Sequence, residues 1–128
     1  MKLLFDTHTF IWWDSEPDKL SSQALSLCQN QENRLLLSVA SVWEMQIKLQ
    51  LGKLRLKLPL AEVIDGQRQT NGVEVLSVEL EHVLALEKLP AHHKDPFDRL
   101  LIAQAQVEDV VLISGDPVFA KYPVNVIW

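Results

Sequence analysis

A chain of 128 residues with 48% hydrophobic and 23% charged residues has apolar material for one core and no linker or low-complexity run, so one domain over residues 1–128 is expected. The net charge of −5 argues against holding nucleic acid by bulk attraction, yet leaves room for a nuclease whose acids bind metal ions. The lone Cys28 cannot form an internal disulfide, and no stretch is apolar enough for a signal peptide or a membrane span, so a soluble cytoplasmic protein without a membrane partner is expected.

Leu3-Leu4-Phe5 is a short apolar run of the kind buried parallel strands show, and Asp6 follows it directly. Thr7 to Trp13 then reads as helix, as does Ser21 to Cys28, and Arg34 to Val39 is a second strand. Ser41-Val42-Trp43-Glu44 has capping-box spacing and predicts a helix of about three turns, stopped by Gly52. Gly52 to Pro59 alternates Leu with Lys53, Arg55 and Lys57, which puts three cations on one side of an extended segment.

Pro59 to about Thr70 predicts another helix, Val73 to Val78 a third strand, and Glu79 to Leu89 a helix ended by Pro90. In the next helix Asp95 is a good N-cap, Pro96 suits the first position, and Asp98 lies in the first turn, while Leu100 to Ala105 are apolar enough to pack deep. Val110 to Ser114 is a near-continuous apolar strand running into Gly115-Asp116-Pro117, and Val124 to Trp128 can close the sheet. Alternating strands and helices predict an α/β fold with a central, mostly parallel sheet.

In such sheets ligands bind beyond the carboxyl ends of the strands. Asp6, Glu44, Asp98 and Asp116 all map to that edge, where crowded carboxylates require a shared proton or a divalent cation. All-oxygen ligands favour Mg²⁺ or Mn²⁺ over zinc. Each acid also has a purely structural reading: Glu44 as the capping partner of Ser41, Asp95 as a cap, Asp116 as a turn former, and Asp98 as a complement to the helix dipole.

Leu4-Phe5-Asp6-Thr7-His8, Ser41-Val42-Trp43-Glu44 with Lys48 and Gly52 downstream, the run His93 to Ala105, and Leu112-Ile113-Ser114-Gly115-Asp116 occur in order over nearly the whole chain. Together they resemble PIN-domain ribonucleases of the VapC toxin type. The resemblance implies a PIN-like α/β/α sandwich with four to five strands, cleavage of RNA dependent on Mg²⁺ or Mn²⁺, a cognate antitoxin and a homodimer. It places the family's four acids, catalytic and metal-holding, on Asp6, Glu44, Asp98 and Asp116. Ser114 matches a Ser/Thr position beside the last acid, Thr7 and Asp95 are accessory, and Gly115 departs slightly from the pattern.

Lys48, one helical turn after Glu44, and Arg99, directly after Asp98, are candidates for holding the RNA backbone, although Lys48 also has the spacing of an ion pair with Glu44. Lys53, Arg55 and Lys57 read as an RNA or partner surface, with a partner preferred because the intervening Leu face needs burial. Trp43 and Trp128 are expected to pack, one of Trp12 and Trp13 is expected at an interface, and His8, His82, His92 and His93 read as surface or supporting residues. Two rivals stand beside the ribonuclease: a PIN-like module that only binds, and a phosphatase with an aspartyl nucleophile. The latter lacks its general acid, because His8 occupies the second Asp position of a D-x-D-x-T pattern.

Overall fold

The computed structural model describes residues 1–128 and contains five parallel strands. These are β1 (Lys2–Phe5), β2 (Arg34–Ser38), β3 (Glu74–Leu76), β4 (Val111–Ile113) and β5 (Val126–Ile127), in the spatial order β3-β2-β1-β4-β5. Six helices connect them: α1 (Thr7–Ser15), α2 (Ser22–Gln29), α3 (Val39–Gln50), α4 (Leu60–Asn71), α5 (Leu80–Ala85) and α6 (Pro96–Glu108). No helix is long and apolar enough to cross a membrane.

The strands read as uninterrupted apolar runs because the sheet is covered on both faces. Leu3, Phe5, Leu35, Leu37 and Ile113 pack into one cluster with Phe10, Ala24, Met45 and Val63 from the helices. Leu4, Leu36 and Leu112 point the other way and meet Leu101, Ile102, Ala105 and Phe119. Side chains alternating across the pleat thus divide the core into two, giving an α/β/α sandwich.

The helix around Asp95 forms as the sequence predicts. Asp95 Oδ1 accepts from the backbone N–H of Phe97 at 2.8 Å and of Asp98 at 3.2 Å, Pro96 occupies the first turn, and Leu101 to Ala105 are buried. Gly72, at φ +65°, terminates α4 in the left-handed conformation that glycine accommodates best.

Several boundaries differ from expectation. β2 passes into α3 with no loop, so the helix cap is Ser38, whose Oγ accepts from Ala40 N–H at 3.0 Å, and not Ser41. Ser41 lies inside the first turn, fully buried, and the Ser41–Glu44 capping box does not form. β3 is shorter than Val73 to Val78, and the predicted helix from Glu79 to Leu89 breaks into α5 and a 3-10 turn at Leu86–Lys88.

The Gly52 to Pro59 segment forms no strand. Leu54 and Leu56 pack against the protein's own core, so that Leu face is covered internally, while Lys53, Arg55 and Lys57 remain exposed. His82 is not at the surface: it is fully buried, its Nδ1 accepting from Glu79 N–H at 2.9 Å and its Nε2 lying 3.3 Å from Glu108. Cys28 is buried too, and burial pushes its thiol up to about 11, as befits an unreactive bystander.

The order of the sheet reverses direction between β1 and β4: successive elements run outward from β1 through β2 to β3 on one side, and from β4 to β5 on the other. The crevice of a doubly wound sheet opens at that switch point. Leu101, with no exposed surface, sits in the helix that covers this seam. Leu101→Ala is expected to cost about 2–5 kcal/mol in urea unfolding; an unchanged midpoint would show that α6 does not anchor the second core.

Candidate active site

Each of the four acids reaches the crevice from a different element. Asp6 is the first residue after β1 and its backbone N–H donates to Ile113 O at 3.1 Å, which ties it to the neighbouring strand β4. Asp116 lies just beyond β4, Glu44 projects from the second turn of α3, and Asp98 from the first turn of α6. α6 precedes β4 and runs antiparallel to it, so its amino end comes to the carboxyl edge of the sheet.

All four line one open cavity of about 630 Å³, together with Asp95, Lys48, His93, Gly115, His8, Lys19, Trp12 and Trp128. Each carboxylate has one oxygen held by a donor. Ser114 Oγ donates to Asp6 Oδ2 at 2.8 Å and itself accepts from Asp116 N–H at 3.0 Å. His93 Nε2 lies 2.8 Å from Asp98 Oδ2, Lys48 Nζ 2.9 Å from Glu44 Oε2, and Asp116 Oδ1 accepts from Val118 N–H at 3.0 Å. Glu44 Oε1, by contrast, is buried with no partner at all.

The electrostatics follow from this crowding. Burial pushes the Asp6 carboxyl above its ordinary range against the pull of Ser114 and His8, and the nearby charges of Asp116 and Glu44 push the same way. Asp98 is raised to about 6, again mainly by burial, with Asp95, Asp6 and Glu44 adding repulsion and His93 opposing it. Crowded carboxylates that repel one another, with Asp6 and Glu44 buried and Glu44 Oε1 without any hydrogen bond, suit a hard divalent cation. Mg²⁺ and Mn²⁺ match the all-oxygen donors, and His93, Asp95 and Asp98 add a group whose ligand atoms lie within 4.8 Å of one another.

Thr7, buried beside Asp6, donates from Oγ1 to Ser41 Oγ at 2.9 Å and so ties the start of α1 to that of α3. Asp95 combines the two readings open to it, since it caps α6 and also lines the cavity. Lys48 forms the i, i+4 ion pair with Glu44 and faces the cavity.

Arg99 does not join the cavity. Its Nη1 donates to Pro90 O at 2.8 Å, His93 O at 3.5 Å and Tyr122 Oη at 3.3 Å, which fixes the loop that carries His93. Lys53, Arg55 and Lys57 also lie outside the lining.

Sequence reasoning missed His93 as the specific partner of Asp98, although five-residue spacing across an N-cap was the available signal. Trp128 packs as expected, but Trp43 and the Trp12–Trp13 pair were misplaced. Trp43 is 62% exposed, with its ring 5.2 Å from Phe97 and edge-on to it. Trp12 and Trp13 both pack against the same core cluster, Trp13 through the flank where its Nε1 donates to Gln67 Oε1 at 2.9 Å. Gly115 is required by its surroundings, because a Cβ there would stand 2.7 Å from the Trp128 ring.

Asp98 binds its proton more tightly in the folded chain than in the unfolded one. Its contribution to stability is therefore fully present below the ordinary value of 3.8 and is lost as pH rises through about 6. In metal-free protein, urea midpoints are expected to fall over this range, and Asp98→Asn is expected to flatten the decline relative to wild type. Parallel curves for the two proteins would contradict the assignment of the raised carboxyl.

The sequence matches the model of the PIN domain family over residues 3–125. No curated protein sequence matches the chain. Among solved structures, the chain is similar to one in a crystal structure of VapBC2 from Rickettsia felis bound to a DNA fragment from its promoter, with a TM-score of 0.74 and 16% identity, covering 99% of this chain and 98% of that one. It is also similar to one in DNA-bound VapBC from Salmonella typhimurium, with a TM-score of 0.70 and 15% identity over 99% and 97% of the two chains. For VapBC-1 from nontypeable Haemophilus influenzae the values are 0.66 and 19% over 99% and 97%. At these identities the structural likeness speaks for the fold, and the family model, which spans nearly the whole sequence, supplies the membership: this chain belongs to the PIN domain family.

Proposed function

We propose that this protein is a metal-dependent endoribonuclease and the toxin of a toxin–antitoxin pair. The observation that carries the reading is the convergence of Asp6, Glu44, Asp98 and Asp116 on one cavity, with Glu44 Oε1 buried and unpartnered among them. These four residues would hold Mg²⁺ or Mn²⁺, and a bound ion supplies an activated water at neutral pH and charge neutralisation at phosphorus.

The remaining steps belong to side chains of this chain. Ser114 orients Asp6 by donating to Oδ2, and by accepting from Asp116 N–H it sets the turn that carries Asp116. His93 holds one oxygen of Asp98, and Lys48 holds one oxygen of Glu44, so both carboxylates keep fixed rotamers despite mutual repulsion. Lys48, at the cavity wall, is also the cation placed to meet a backbone phosphate. Attack by water in line with the leaving oxygen gives products with a 5′-phosphate and a 3′-hydroxyl.

A chain in a toxin–antitoxin complex from Klebsiella pneumoniae is likewise similar in fold, which supports an antitoxin partner here. Exposed Lys53, Arg55 and Lys57, flanked by exposed Leu51 and Leu58, form the surface we assign to a protein partner. A homodimer in the cytoplasm completes the reading.

The phosphatase alternative finds no second carboxylate at position 8, where His8 stands. Incubating the protein with single-stranded RNA and Mg²⁺ or Mn²⁺ is expected to give cleavage that chelator abolishes. Asp6→Asn is expected to lower the rate by at least about a hundredfold, the scale set by removing a group that stabilises the transition state. Chelator-resistant cutting, or full activity in Asp6→Asn, would overturn the proposal.

A further inference from the structure

The cavity has two chemically different walls. One carries the acids. The other is aromatic: Trp12 from α1 and Trp128 from the end of β5 face it with ring centroids 6.1 Å apart and planes inclined at 51°. Both indoles rest on the core cluster beneath β1 and are half-buried. Trp128 is also seated on Gly115, the residue before Asp116, where no side chain would fit. The aromatic wall therefore touches the segment that positions one of the acids.

Lys19 and His8 border this wall. Lys19 Nζ lies 5.8 Å from the centre of the Trp12 ring, on the 3-10 turn that follows α1, and it is paired at 3.0 Å with Glu16. The His8 ring stands 6.1 Å from that of Trp12, tilted at 48° to it. A rigid, half-exposed aromatic surface beside a phosphate-processing pocket and next to a lysine has the chemistry of a nucleobase seat: the ring stacks on a base and the ammonium pairs with a neighbouring phosphate.

We infer that Trp12 and Trp128 form a stacking platform for one unpaired base of the RNA substrate, with Lys19 holding an adjacent phosphate. The inference rests on the ribonuclease reading and narrows it, for a base inside a duplex already stacks on its neighbours and cannot lie on this wall. Recognition through a π-face tolerates different bases, so sequence preference here is weak.

Fluorescence anisotropy in the presence of chelator, so that the RNA survives, tests the platform on the wild-type protein. A short single-stranded oligoribonucleotide is compared with an abasic strand of the same length and with a duplex. The abasic strand and the duplex are each expected to bind about tenfold more weakly, the scale of losing one base–aromatic stack. Trp12→Leu is expected to erase the difference between base-bearing and abasic strands, Trp12→Phe to retain most of it, and Mn²⁺ affinity to stay unchanged in both. Equal wild-type binding of abasic and base-bearing strands, or discrimination that survives in Trp12→Leu but disappears in Trp43→Leu, overturns the platform. If Trp12→Leu does not fold, the abasic comparison on wild type and the Trp12→Phe variant decide. A wild-type protein that neither binds RNA nor cuts it with Mg²⁺ overturns the ribonuclease reading itself, whereas one that cuts but ignores the presence of a base overturns the platform alone.

Discussion

Repulsion among crowded carboxylates, Asp6 and Glu44 among them buried, is the constraint around which this molecule is arranged. Asp6, Glu44, Asp98 and Asp116 sit where a parallel sheet splits its winding, and burial together with neighbouring charge pushes Asp6 and Asp98 toward protonation. The fold answers with one tether for each acid: a serine, a lysine, a histidine and a backbone N–H. Each tether binds a single oxygen, which fixes the rotamer while leaving the other oxygen for a ligand. A fully satisfied network would be more stable and would bind nothing.

The supporting residues are held in turn by the layers on either side. Thr7 and Ser41 join the starts of α1 and α3 behind Asp6, and Arg99 grips three acceptors to hold the loop that presents His93. An arginine next to the cavity-lining Asp98 therefore serves the scaffold. Its five donors suit it to collecting carbonyls in a loop that has no regular hydrogen-bond ladder.

The fold and the edge of the sheet on which the four acids lie were legible because they depend on local signals. Uninterrupted apolar runs mark strands covered on both faces, and Asp95-Pro96 announces a helix start in a form that tertiary contacts did not override. The capping box at Ser41 and Glu44 failed because β2 runs straight into α3, and the serine nearest the strand takes the cap; the spacing carried no information about where the strand stops. His82, Trp43 and the Trp12–Trp13 pair were misjudged for a different reason. Burial of a polar or aromatic side chain is decided by distant partners such as Glu108, Gln67 and the core under β1, and no spacing within the chain encodes them. The alternation of Leu with Lys and Arg after Gly52 did place its cations outward, but the leucines found their cover within the molecule.

The bond from Ser114 to Asp6 spans 108 positions of the chain, and β1 finds β4 only across the same interval. During synthesis the amino-terminal strand and its aspartate emerge first and must wait for nearly everything else. Until the stretch that includes β4 has left the ribosome, Asp6 has neither its serine nor Asp116 beside it, so the pocket cannot assemble on a partial chain. Chain order thus times the crevice: its first acid is made early and the neighbours that complete it are made late.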